Sequence, residues 1–246
     1  MDHFYDRYDL RARLSVAILI IAPIVLDVSF CIKYQEGSIS AIVLALIAIA
    51  LSCCGIAVVQ YYSNTSKKNQ QRENLAAKML LPNNSLLSDV TRQRYFNRLK
   101  KINPDLSCLI DDIIQDSDGY EKSCNLIYWI LENTRDNSLF PVLAEDKIGY
   151  GFAKNMYTVK PFALTLFCLE SVTAIGITLW QTEAPCILDR ICKTWDQYSL
   201  EIILSVTIHL VVLFVWIIIA RKKFYSNAEK RLALSILRSI DGIKEQ

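Results

Sequence analysis

Residues 161–180 read PFALTLFCLESVTAIGITLW, an apolar run with one carboxylate, Glu170, near its middle. About 20 residues of helix cross a hydrocarbon core roughly 30 Å thick, so this run is expected to span a membrane. A carboxylate at that depth costs about 2.5–3.5 kcal/mol even on the mildest scales, and such groups face a bundle interior or a water-filled path. Residues 62–160, immediately upstream, form the one sizeable polar segment of the chain. The stretch is therefore where a soluble module meets a bilayer.

Three further apolar runs, 14–32, 39–61 and 200–220, have similar length. The overall mean hydropathy of +0.25 conceals them because the polar segment is averaged in. Lipid requires every backbone polar group to be satisfied within the chain, and nothing in these runs alternates as barrel strands do. The expected fold is an all-α integral membrane protein, with four transmembrane helices arranged as two hairpins and a cytoplasmic helical domain inserted between them. The expected divisions are a leader (1–13), a first hairpin (14–61), the module (62–160), a second hairpin (161–220) and a helical tail (221–246). Acidic residues in the leader and the length of the first run argue for a retained helix over a cleaved signal.

The net charge of +2 says little; the placement of the charges says more. Arg7, Arg11, Arg13 and Arg221-Lys222-Lys223 flank one side of the runs, while the short outer loops carry only Lys33, Arg190 and Lys193. The positive-inside rule then puts both termini and the module in the cytoplasm. Two of the eight cysteines, Cys186 and Cys192, share the second outer loop and form a disulfide candidate, the alternative being two free thiols. With two histidines and no CxxC pair, neither a metal site nor a cofactor is expected.

Within the module, helices are expected over 67–81, 90–102, 105–115 and 120–134, bounded by Pro82, Asn103-Pro104 and the turn-rich Asp116–Gly119 run. Residues 138–161 read as a loop returning the chain to the membrane. The tail places Leu232, Ile236, Ile240 and Ile243 on one stripe, suited to packing on the module or on a neighbouring subunit, with docking at the membrane interface as the alternative. Ala41, Ala45, Ala48, Ser52 and Gly55 make a small-residue stripe on the second span that allows close helix approach. Pro23 and Asp27 mark the first span, with Asp27 in its outer half, either interfacial or functional.

The candidate ligand surface is TRQRYFNRLKK, residues 91–101. Arg94, Arg98 and Lys101 recur at helical spacing, with Arg92 nearby and Tyr95 interleaved; Arg135 and Lys154 can extend the surface. Guanidinium groups meet phosphates bidentately, and aromatics among cations suit stacked bases. The same pattern also fits a solvated face whose Tyr95 packs inward, or attraction to anionic headgroups. No catalytic motif can be assembled, so an enzyme is not expected. In the membrane, Glu170 and Thr173 share one helix face, as do Ser205 and His209. These four fit a conduction path favouring cations. They fit equally a buried Glu170–His209 hydrogen bond inside one protomer.

Tyr8-Asp9-Leu10-x-Ala12-Arg13, Trp129, Thr134-Arg135-Asp136, Phe140-Pro141, Tyr150-Gly151-Phe152, Asn155 and Lys160-Pro161 together resemble a group of bacterial four-span membrane proteins. These are similar to the membrane partners of nucleotidyltransferases in anti-phage defence: the channel subunit of the Hailong system first, the membrane protein of Kiwa second. The resemblance implies a homo-oligomeric ion channel of the inner membrane, a tetramer being favoured. Its cytoplasmic domain would bind a single-stranded DNA oligomer or cyclic nucleotide made by a nucleotidyltransferase partner. It assigns no individual residue. The alternative, of another class, is a non-conducting sensor or scaffold that recruits a cytoplasmic protein.

Overall fold

The computed structural model describes residues 8–34, 54–62, 74–82, 84–115, 119–181 and 186–244. Among them the protein is all-helical, without a strand. The helices are α1 (Ser15–Tyr34), α2 (54–62), α3 (Leu75–Leu80), α4 (Asp89–Ile102), α5 (Leu106–Gln115), α6 (Tyr120–Asn133), α7 (Pro141–Gln181), α8 (Ile187–Phe214) and α9 (Lys222–Ser239). π-helical turns precede α1 (Asp9–Leu14) and follow α8 (Val215–Ile219). The chain forms two compact units, one of 1–66 with 151–224, the other of 67–150 with 225–246.

The second, polar unit begins where Asn74 caps α3, its side chain accepting from the Ala76 and Ala77 amides at 3.0 and 3.4 Å. Ser88 caps α4 through the Thr91 amide at 3.3 Å. Each such cap satisfies an orphan donor of the first turn and contributes about 1 kcal/mol. α3 and α5 both pack on α6, which turns Leu126, Ile127 and Ile130 into the core. α4 supplies Tyr95, Phe96, Leu99 and Ile102 to the same core, and the tail supplies Ala233, Ile236, Leu237, Ile240 and Ile243. Fully burying one such side chain stabilises by roughly 1.5–3 kcal/mol. The tail is thus part of this unit's fold, one of the packings that its apolar stripe suited.

The loop expected at 138–161 is helix from Pro141 onward. Pro141 sits at the first helical position, where its missing N–H removes nothing. α7 then continues through Gly149, Gly151 and Pro161 to Gln181. Gly151 is needed for approach and not for a turn: the Tyr8 ring lies where a side chain would stand. The Thr165 hydroxyl donates to the Pro161 carbonyl at 3.0 Å.

In the apolar unit, α1 (Val16, Ala17, Ile20, Ile21), α2 (Ile56, Val59), α7 (Met156, Val159, Ala163) and α8 (Val212) share one core with Trp216. Gly55 lets α2 close on α1, since a Cβ there would stand 2.5 Å from Ile21 Cδ1. Buried Asn155 donates to the Ala12 carbonyl at 2.9 Å and pins the start of the chain to α7. Lys160 Nζ reaches the Ala220 carbonyl at 3.2 Å and Arg221 Nε the Ile217 carbonyl at 3.1 Å, placing cations at the negative end of the α8 dipole.

Large apolar side chains on α8 stand in the open: Leu200 is 75% exposed, Leu210 61% and Phe214 58%. The segment Ile202–Ile219, which joins the end of α8 to the π-helical turn after it, has a mean hydropathy of 2.9 and is only 11% buried. Among the described residues it is the one helix segment long and apolar enough to cross a membrane. The expectation of four spans is not supported beyond that helix, and residues 39–53 of the second run lie outside the described residues.

Candidate functional site: a buried carboxylate–imidazole cluster

Three ionisable side chains from three helices of the apolar unit converge. Asp27 comes from α1, Glu170 from α7 and His209 from α8. His209 Nε2 lies 3.4 Å from Asp27 Oδ2 and 3.4 Å from Glu170 Oε2. The His209 and Glu170 side chains are 14% and 11% exposed, within the apolar stretches of their helices. One turn before His209, Ser205 donates its hydroxyl to Asp27 Oδ1 at 3.0 Å. His209 Nδ1 stands 2.8 Å from the Ser205 carbonyl. A carbonyl can only accept, so Nδ1 carries the hydrogen and Nε2 is the nitrogen turned to the carboxylates. The Phe167 ring, with its centroid 5.2 Å from the imidazole's, walls one side.

Both Glu170 oxygens and His209 Nε2 are buried without a hydrogen bond among the described residues. A cavity of about 490 Å³ adjoins the cluster, lined by Asp27, Ser205 and His209 among apolar neighbours that include Ile175 and Trp195. Charged groups held this way are expensive unless paired or used.

Of the residues expected to line a path, Glu170, Ser205 and His209 meet here, joined by Asp27, which the sequence left between two readings. Thr173 does not join them: it is exposed, and its hydroxyl donates back to the Leu169 carbonyl at 2.7 Å. The Cys186–Cys192 pair is not bridged; both are free thiols. Cys186 caps α8 through the Asp189 amide, and Cys192 lies six residues further along. At about 1.5 Å per residue that is roughly 9 Å of axial rise, beyond the ~7 Å Cα separation a disulfide spans.

The expected ligand residues of the polar unit separate into two kinds. Arg92 is buried and directs its guanidinium at main-chain carbonyls: Asn84 at 2.8 Å, Leu87 at 3.2 Å, Pro82 at 3.3 Å and Met79 at 3.4 Å, with Asp89 as its ionic partner. It ties the end of α3 and the following loop to α4, leaving little of it for a ligand. Tyr95 is a core residue, 4% exposed. Arg94, by contrast, is exposed and pairs with Asp241 at 2.9 Å, its guanidinium 5.0 Å from the Tyr95 ring centroid. Arg98 donates to the Ile243 carbonyl at 3.3 Å, and Lys101 is exposed.

The Thr134-Arg135-Asp136 run builds the α6–α7 turn. Thr134 donates to the Ile130 carbonyl at 2.8 Å, and Arg135 is an exposed partner of Glu132 at 3.5 Å. Asp136 accepts from the Ser138 hydroxyl at 2.6 Å and its amide at 2.8 Å. These bonds, the hydroxyl's foremost, hold the Asp136 carboxyl below its ordinary range. Lys154 belongs to the apolar unit and is nine-tenths buried there.

No protein-family model matches the chain, and no curated protein or solved structure matches it either.

Proposed function

We propose that the chain is a multi-pass membrane effector that conducts cations under the control of a phosphate-bearing ligand. The observation that carries this reading is the convergence of Asp27, Glu170 and His209 beside a cavity, within helices whose outer faces are apolar. Water does not suit the exposed leucines and phenylalanine of α8, whereas lipid or a second copy of the chain does. Acidic groups beside a cavity favour cations over anions. The four spans, cytoplasmic termini, inner-membrane location and homo-oligomeric assembly belong to this proposal. So does a nucleotidyltransferase-made oligonucleotide or cyclic nucleotide as ligand, which rests on the resemblance to anti-phage defence proteins. Arg94, Arg98 and Lys101 are the residues we assign to that ligand. A phosphate at Arg94 would compete with Asp241 of the tail, so ligand binding and tail docking would oppose each other. A ligand biases such an equilibrium only by the difference in its affinity for the two states.

Flux of cations from proteoliposomes, with and without short single-stranded DNA, tests the proposal. A DNA-dependent change supports it; flux indifferent to DNA removes the ligand, and absence of flux from folded protein removes the channel.

A second reading draws on the contacts that Arg94 and Arg98 already make with the tail. A basic helix engaged internally suits a non-conducting scaffold that presents its module to a cytoplasmic protein. Under that reading no conductance appears, and Glu170→Gln changes stability alone.

A further inference from the structure

We infer that Asp27, Glu170 and His209 bind one divalent transition-metal cation, with Zn2+ the best match to the donor set. The inference uses the same cluster as the proposed function, and it stands whether or not the unit conducts.

The first argument is the direction of the lone pairs. His209 Nδ1 is committed as a donor to the Ser205 carbonyl at 2.8 Å, which leaves the lone pair of the neutral ring on Nε2. That lone pair faces Asp27 Oδ2 and Glu170 Oε2, two further acceptors, and no hydrogen bond joins the imidazole to either. Three acceptors aimed at one buried point repel one another unless a cation or a shared proton stands among them. An imidazole nitrogen whose partner N–H is held by a backbone carbonyl is the usual arrangement for a metal ligand. Ser205 completes it from outside, occupying Asp27 Oδ1 and leaving Oδ2 for the ion.

The second argument is distance. Zn2+ bonds to histidine nitrogen and carboxylate oxygen at about 2.0–2.2 Å, which sets tetrahedral ligand–ligand edges of roughly 3.3–3.5 Å. Both imidazole–carboxylate separations are 3.4 Å, and the three donor atoms all lie within 4.8 Å of one another. A hydrogen-bonded pair would be closer, near 2.9 Å.

The third argument is charge. Two carboxylates and a neutral imidazole carry −2, so a dication makes the buried cluster neutral. Neutrality without a metal takes two protons, one on the imidazole and one on a carboxylate. The donor set of one nitrogen and two oxygens suits Zn2+, Mn2+ or Fe2+, whereas Mg2+ and Ca2+ prefer oxygen alone. Three protein ligands beside a cavity leave a coordination position open toward that cavity.

Full-length protein purified in detergent, treated with a chelator and then dialysed against Zn2+, is assayed for bound metal by mass spectrometry. The expected result is one Zn2+ per chain with a raised melting temperature, both lost in Asp27→Asn and in Glu170→Gln. Cys186→Ser, which alters an exposed thiol, keeps the metal. Co2+ titration of the unaltered protein gives a second readout should the variants fail to fold. Saturating visible bands at one ion per chain, without a thiolate charge-transfer band, are expected. Wild-type protein that binds no metal, or folded variants that retain it, overturns the inference. Saturation only through a thiolate band overturns it as well. A cluster held by a shared proton would show as the first of these results.

Discussion

Replacing Arg92 with methionine keeps an unbranched apolar stem out to the ε position but removes the guanidinium and with it every donor. The guanidinium is 7% exposed and makes its shortest main-chain bonds to the Asn84 and Leu87 carbonyls, at 2.8 and 3.2 Å. Hydrogen bonds from a charged donor contribute a net ~1.5–3 kcal/mol each, so these two account for roughly 3–6 kcal/mol. The longer bonds to Pro82 and Met79 add less, and the pair with Asp89, whose own side chain is 89% exposed, adds little. Methionine recovers about 1–2 kcal/mol through apolar burial. The net loss is about 3 kcal/mol, or about two decades in a local opening constant. Hydrogen–deuterium exchange on the full-length protein reads this directly: amides of α3 and of residues 84–88 should exchange about 100-fold faster in Arg92→Met. Arg94→Ala, which loses a pair with 60% and 52% exposed partners, should stay within a few-fold of wild type. Equal exchange in the two variants would refute the assignment of Arg92 to structure.

Other consequences follow from the same contacts. Arg94→Ala with Arg98→Ala should weaken binding of short single-stranded DNA and flatten its salt dependence, measured by fluorescence anisotropy across a salt series; unchanged binding would take α4 out of the ligand site. Asp136 has a depressed pKa in the fold, so its contribution is present above its unfolded value, near 3.8, and disappears as pH falls through the lower folded value. Asp136→Ala should therefore flatten the acid limb of an unfolding curve below about pH 4, and an unaltered limb would contradict the turn's role. Gly55→Leu should destabilise the α1–α2 contact by about 1–3 kcal/mol through overpacking, seen as a lowered melting temperature in detergent. Gly55→Ala should be milder, because the Ile21 side-chain end can move aside.

Much of this was legible in the residues. Glu170 and His209 stood out because ionisable groups within apolar runs are costly, and they do meet. Asp27 was left undecided, since depth along a helix does not tell which helix it faces; only the packing of α1 on α8 brings it to Ser205. Arg92 carried a usable signal. It lies on the stripe of Tyr95, Phe96, Leu99 and Ile102, at spacings of three, four, seven and ten, whereas Arg94, Arg98 and Lys101 fall on another stripe. In the sequence Arg92 stands beside the basic face as a neighbour, where its spacing to the core stripe marks it as inward-facing. The 138–161 run, read as a loop, is rich in the residues that usually interrupt helices. Here Gly151 makes room for Tyr8, and Pro161 is carried within α7. Cys186 and Cys192 looked like a loop pair only while the start of α8 was placed at residue 200 instead of Ile187.

The proposed conduction through the cluster is tested most directly by comparing cation flux in proteoliposomes of wild-type protein and Glu170→Gln, matched for folded protein. Wild-type protein should pass cations, and Glu170→Gln should change cation selectivity or rate. Absence of flux from folded wild-type protein, or identical flux and selectivity in the two, would contradict it.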